Sequence, residues 1–271
     1  MQIIETKLLG KAKNQNLCED GLFIKEHLVV VIDGVTSKSD ELYYGFKSGK
    51  YAKDVIIDEL NKLDLFQDTL KIIKALDLRL KKEALKRFNN SVANKDYLRA
   101  CLLIYNDLEK KLYSYGDSQF IVNGQYFPSY MAIDDINSQK RATKIKALLS
   151  QGYTTQQLLE NDLGRKSIEE ALLNQSVYEN KVEELGYACL NGFNYNSKLL
   201  KVINVTDNEV VMASDGYPKL FNNLEASEAY LSSILKNDPL CYRLYLSTKG
   251  LTIGNLSFDD RCFVKINCSN K

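Results

Sequence analysis

Four acidic motifs stand at the edges of apolar runs. Glu19-Asp20-Gly21 precedes Leu22-Phe23-Ile24, and Asp33-Gly34 ends the run Leu28-Val29-Val30-Val31-Ile32. Ser214-Asp215-Gly216 follows Val210-Val211-Met212-Ala213, and Asp259-Asp260 comes just before Cys262-Phe263-Val264. An unbroken apolar run of this length suits a strand buried on both faces. A carboxylate just past such a strand is held rigidly at the rim of a core, where an unpaired charge is costly. Several carboxylates gathered at one rim need a cation, and ligation by oxygen alone points to Mg²⁺ or Mn²⁺. Taken singly, each Asp-Gly is an ordinary turn dipeptide, because Gly supplies positive φ and Asp bonds its own backbone. The recurrence beside strand-like runs is what indicates a site.

Other chemistries are thinly supplied. His27 is the only histidine, so neither a Ser–His triad nor a His-rich metal site can be built without it. It is expected in a turn or at the surface. Six cysteines are spread along the chain with no Cys-x-x-Cys pair, which argues against zinc. Cys101, Cys189 and Cys262 lie within apolar stretches and read as buried thiols acting as small hydrophobes. The net charge of +1 gives no bulk attraction to nucleic acid or membrane, and neither is expected as a partner. No segment reaches the ~18 consecutive apolar residues of a membrane span, and the first residues lack the form of a signal peptide. A cytoplasmic location is the resulting expectation.

The elements that must position the carboxylates follow from periodicity. Strands are expected at 3–9, 22–24, 28–32, 98–105, 111–115, 119–122 and 125–127, the last two joined by the hairpin signal Asn123-Gly124. Two long helices follow Asp33. One places Leu42, Phe46, Gly49, Ala52, Ile56 and Leu60 on a face, and the other Leu70, Ile73, Leu76, Leu80, Ala84 and Phe88. The lysines of the second read as its solvated side. Residues 129–185 are polar and helical in pattern, with helix starts at Thr154 and Ser167. Their basic residues Lys140, Arg141, Lys144 and Lys146 read as a solvated face, or as a contact for an acidic substrate. Strands resume at 186–190, 199–205 and 210–213, then helices near 226–235 and 239–246, and a last strand at 262–266. With no repeat and no low-complexity linker, residues 1–271 are expected to form one domain carrying a helical flap at about 129–185.

In order and spacing these motifs resemble the metal-dependent serine/threonine protein phosphatases of type 2C. Glu19-Asp20, Asp33-Gly34, Gly116-Asp117-Ser118, Ser214-Asp215-Gly216 and Asp259-Asp260 are similar to that family's motifs. The segment Gly186–Gly192 is similar to the one that returns from its flap. The resemblance implies an α+β fold, a four-layer αββα sandwich of two antiparallel β-sheets flanked by helices. It also implies two Mg²⁺ or Mn²⁺ ions, with Asp33 bridging both. Asp215 and Asp259 complete one site, and Glu19 or Asp20 with the Gly34 carbonyl completes the other. Asp33 and Asp215 are thereby the catalytic candidates, and Asp117 and Gly216 have structural roles near the site. Where the family commonly carries an Arg four residues before its acidic Glu, this chain has Gln15. That makes Gln15 and Lys13 the candidate substrate-binding residues, with Lys11 nearby. Val35-Thr36-Ser37 stands in place of the family's His-Gly-Gly.

The activity so implied is hydrolysis of phosphomonoesters by an activated water, on phosphoserine or phosphothreonine of a protein substrate, by a monomer. A non-catalytic regulatory or binding module of the same fold, or a small-molecule phosphatase, is the alternative.

Overall fold

The computed structural model describes residues 1–37 and 39–269. The chain opens with β1 (Gln2–Leu9), then β2 (Asp20–Lys25) and β3 (Leu28–Val35). Helices α1 (Ser48–Lys62) and α2 (Thr69–Arg87) follow, then β4 (Arg99–Asn106), β5 (Lys111–Tyr115), β6 (Gln119–Val122) and β7 (Gln125–Phe127). A helical stretch comes next: α3 (Ala132–Ser150), α4 (Thr155–Glu160), α5 (Leu163–Lys166) and α6 (Glu169–Asn174). The chain ends with β8 (Lys201–Asn204), β9 (Glu209–Ala213), α7 (Leu224–Asn237) and β10 (Arg261–Asn267).

The strands form two antiparallel five-stranded sheets, ordered β1-β10-β9-β6-β7 and β2-β3-β4-β5-β8. Side-chain alternation sorts the core into layers. Val29, Val31, Leu103, Tyr105, Met212, Val264 and Ile266 meet between the sheets. Leu28, Val30 and Ile32 point the other way and pack under α1 and α2 through Ile56, Leu60, Ile73, Leu76 and Leu80. On the outer face of the second sheet, Val211, Ala213 and Phe263 pack against Leu231 and Ile234 of α7. The result is the expected four-layer αββα sandwich. No helix among the described residues is long and apolar enough to cross a membrane.

Local signals explain most boundaries. Asn123 and Gly124 have φ of 51° and 69°, the left-handed pair that a two-residue hairpin turn demands. Asp68 caps α2 by accepting from the Leu70 N–H, and Thr154 with Gln157 forms a capping box at α4. Three expectations differ. Helix α1 starts at Ser48, so Leu42 and Phe46 lie before it and are exposed; Tyr43 and Phe46 instead pair across a tight turn with Gly45 at φ 88°. Residues 239–246 form no helix, because the Asp238 carboxylate accepts the N–H groups of Tyr242, Arg243 and Leu244 and winds the chain into a loop. Residues 186–190 make only isolated bridges, Tyr187 to Glu179 and Leu190 to Ala100.

His27 is buried rather than exposed: its Nε2 lies 3.0 Å from the Leu65 carbonyl and its ring rests against Phe66. All six cysteines are buried and free.

Between β3 and α1 two glycines bring main chain against main chain. A Cβ on Gly34 would sit 2.1 Å from the Gly49 carbonyl oxygen, and one on Gly49 would sit 2.5 Å from the Gly34 oxygen. Only hydrogen fits at either position.

Candidate active site

Register places the first two carboxylates. Asp20, the first residue of β2, pairs directly with Asp33 near the end of β3. Residues opposed in an antiparallel ladder hold their Cβ atoms about 4.5–5.5 Å apart, and like charges there repel. Asp33 has the same parity as Val29 and Val31, so both carboxylates project at the end of the inter-sheet layer. Asp215 enters from the other sheet, two residues past the end of β9. Gly216 next to it lets the chain pass close to β10, since a Cβ there would lie 1.9 Å from the Asp260 carbonyl oxygen. Asp117 follows Gly116, whose φ of 126° and closeness to Cys101 exclude a side chain.

All four open into a cleft of about 620 Å³. Its walls include Glu19, Asp259 and Asp260, the helical segment through Asp134, Arg165 and Leu172, and the loop bearing Tyr245 and Lys249.

The carboxylates fall into two groups by what they touch. Glu19, Asp259 and Asp260 are held by the chain itself. The Lys11 ammonium lies 3.2 Å from Glu19, 3.1 Å from Asp259 and 3.2 Å from Asp260. Lys249 pairs with the other oxygen of Asp259, and the Thr36 hydroxyl donates to Glu19. Asp260 also accepts the backbone N–H groups of Lys11 at 2.6 Å and Glu19 at 3.1 Å, which clips the 10–19 segment to β10. Although burial alone pulls the Lys11 ammonium down, Glu19 and Asp260 hold it above its ordinary value.

Asp20, Asp33 and Asp215 are less well served. Asp33 and Asp215 accept no hydrogen bond and make no ion pair among the described residues. Asp20 is 2% exposed, and its Oδ2 is buried without a partner. Burial pushes Asp33 well above the usual carboxylate range, and Asp215, Asp20 and Asp117 push further while Lys249 opposes them. Burial does the same to Asp20, opposed by the Ser214 hydroxyl and reinforced by Asp215 and Asp260. Asp117 is pushed up to about 7 by burial, Asp215 and Asp134.

An unpartnered buried oxygen beside two further carboxylates is a donor set of hard anions, which suits Mg²⁺ or Mn²⁺. Among the described residues, no group of three or more acidic, histidine or cysteine side chains is already arranged to hold a metal ion.

The substrate-binding candidates lie elsewhere. Lys13 and Gln15 are exposed and absent from the cleft wall. The Gln15 amide is tied within its own loop, accepting from the Gly10 N–H at 2.7 Å and donating to the Ala12 carbonyl at 2.7 Å. The Gly34 carbonyl lies against Gly49. Arg141 is fully buried and offers nothing to a substrate: its guanidinium binds the carbonyls of Leu240, Cys241 and Ser247 and the Asp162 carboxylate. The positions of Lys11 and Lys249 at the carboxylates carry no local sequence signal. Only the density of acids around residues 19 and 259 hints that cations must answer them.

The chain matches no family model, and no curated protein sequence matches it. Its fold is shared with solved PPM-type serine/threonine phosphatases. It is similar to the serine/threonine phosphatase Stp1 from Staphylococcus aureus, with 15% identity over 99% of this chain and 96% of that one, at a TM-score of 0.51. It is also similar to the PPM Ser-Thr phosphatase MsPP from Mycobacterium smegmatis, with 12% identity over 98% and 99% of the two chains and a TM-score of 0.48. The serine/threonine phosphatase PstP/Ppp of Mycobacterium tuberculosis gives 12% identity over 99% and 100%, with a TM-score of 0.48.

Proposed function

We propose that this protein is a metal-dependent phosphomonoester hydrolase whose substrates are phosphoserine or phosphothreonine residues of proteins. The observation that carries the reading is the group Asp20, Asp33 and Asp215 at the end of the sandwich, with the Asp20 Oδ2 buried and unpartnered. Buried anionic oxygens without donors are unstable unless something positive sits among them. Asp20, Asp33 and Asp215 would hold Mg²⁺ or Mn²⁺, and that cation would supply a water acidic enough to attack phosphorus together with charge facing the phosphoryl oxygens.

The chain's own residues do the rest. Asp33 and Asp20 come from paired strands, so their separation is fixed by the ladder. Lys249 and Lys11 border the cleft and oppose the negative charge of an incoming phosphate. The helical segment and the 238–260 loop, which carries Tyr245, form two of the cleft walls. No side-chain nucleophile is needed, which suits a chain whose one histidine is buried under Leu65. The two ions implied by the resemblance would both depend on Asp33, but the Asp259 position that one of them requires is engaged by Lys11 and Lys249.

The test is hydrolysis of phosphothreonine peptides and of an aryl phosphate with added Mn²⁺ between about pH 7 and 9, where a metal-bound water is ionised. Metal-dependent release of phosphate supports the proposal. Peptide binding without turnover would instead favour a phosphatase-fold binding module. That second reading draws on the Gln15 amide being tied into its own loop.

A further inference from the structure

Six of the carboxylates that line the cleft, Glu19, Asp20, Asp33, Asp215, Asp259 and Asp260, differ in one respect that their sequence motifs do not reveal. Three are held in ion pairs by the chain, and the other three make none among the described residues. Lys11 reaches all of Glu19, Asp259 and Asp260 with a single ammonium, at 3.1–3.2 Å. Three anionic oxygens around one positive centre is the arrangement a small cation would adopt. Lys249 occupies the remaining oxygen of Asp259, and the Thr36 hydroxyl occupies the remaining oxygen of Glu19. The Asp260 oxygens are already engaged by two backbone N–H groups. Nothing in this corner is left over for another cation.

The neighbouring corner is the reverse. Asp20 keeps one oxygen buried and bare, and neither Asp33 nor Asp215 accepts a hydrogen bond or makes an ion pair among the described residues.

We infer that the Lys11 ammonium is a built-in cation of the Glu19–Asp259–Asp260 corner, so that the protein takes one divalent ion, at Asp20, Asp33 and Asp215, rather than two. This rests on the metal-dependent reading above and goes further by fixing the number of ions and the residue that sets it. The physical basis is charge. A second divalent ion at Asp259 would have to displace a half-buried ammonium that already has three short ion pairs. Lys11 is also anchored at both ends, since its backbone N–H is held by the same Asp260.

The experiment is calorimetric titration of the full chain with Mn²⁺ alone, combined with the electron paramagnetic resonance spectrum of the loaded protein. The expected result is one ion per wild-type chain, with the spectrum of an isolated Mn²⁺. Lys11→Met removes the charge but keeps an apolar stem, and should raise the number to two with a spin-coupled spectrum. Two ions about 3.5–4 Å apart interact magnetically, as two-metal sites do. Lys249→Met, read the same way, should leave the number at one, because Lys11 still fills the corner. Two ions in the wild type would overturn the inference and leave the metal-dependent reading standing. No ion in the wild type would remove that reading and the inference with it. One ion in both the wild type and Lys11→Met would show that Lys11 does not set the number. If Lys11→Met fails to fold, the wild-type stoichiometry decides alone.

Discussion

Asp33→Asn should make the metal-free protein more stable while destroying its response to metal. Asp33 stands opposite Asp20 on the neighbouring strand, with Asp215 and Asp117 also close enough to raise its pKa. Two full charges about 5 Å apart at an effective dielectric constant of about 20 repel by roughly 3 kcal/mol. Lys249 offsets part of this, and partial protonation removes more, so about 1–2 kcal/mol is the realistic gain from an amide of equal shape. For a chain of this size that is a rise of about 2–8 °C in Tm. Differential scanning fluorimetry in chelator-treated buffer measures it.

Adding Mn²⁺ at about a hundred times its Kd should stabilise the wild type by roughly 2.7 kcal/mol. The variant has lost the central ligand and should gain much less, so the order of the two melting temperatures reverses. Turnover should fall below about a tenth of wild type, a barrier increase of at least ~1.4 kcal/mol. A variant that melts lower than wild type without metal, or that keeps the full Mn²⁺ shift, would refute the reasoning, because Asp33 would then be neither repelled nor a ligand.

Other outcomes follow from the same contacts. Asp117→Asn should flatten the pH dependence of metal-free stability. Its folded pKa of about 7 lies above the ordinary 3.8, so wild-type stability falls as pH rises between those values and then levels off, which melting curves from pH 4 to 8 measure. Glu228→Gln should lower stability at pH 7 by about 1–3 kcal/mol. Against the burial that would raise it, Arg261 and Tyr217 hold Glu228 at about 2, so the deficit is full above pH 4.5 and shrinks as pH falls toward 2, as denaturant titrations at several pH values will show. Arg141→Ala should cost about 3–5 kcal/mol, since it leaves the Asp162 carboxylate and three carbonyls without their donor. Hydrogen exchange should then speed up first in the 238–250 loop.

Much of the frame was legible because it rests on local pattern. The run Leu28–Ile32 is fully buried because a strand between a sheet partner layer and a helix layer has no wet face, and apolar continuity reports that directly. The Asn123-Gly124 turn and the capping box at Thr154 are equally local. Signals failed where a side chain or the lack of a strand partner overrode the pattern. Pro239–Leu246 has a helical pattern, but the Asp238 carboxylate takes its N–H groups. Gly186–Leu190 reads as a strand, yet the sheet edge offers it only isolated bridges. Asp20, Asp33 and Asp215 were visible from their places beside apolar runs. The partners of Glu19 and Asp259 were not, because Lys11 lies 248 residues from Asp259 and meets it only through the fold.

The contact between Gly34 and Gly49 has a consequence for tolerance. Elsewhere in the sandwich, layers are spaced by side chains, which can adjust by rotating. Here the end of the strand that bears Asp33 and the start of α1 are spaced by peptide planes alone. Peptide groups in van der Waals contact have no side-chain torsion through which to yield, so this gap acts as a gauge block at the rim of the cleft. A repacked core can shift the far end of α1 while its near end keeps its calibration, and the carboxylate next to Gly34 inherits that fixed reference.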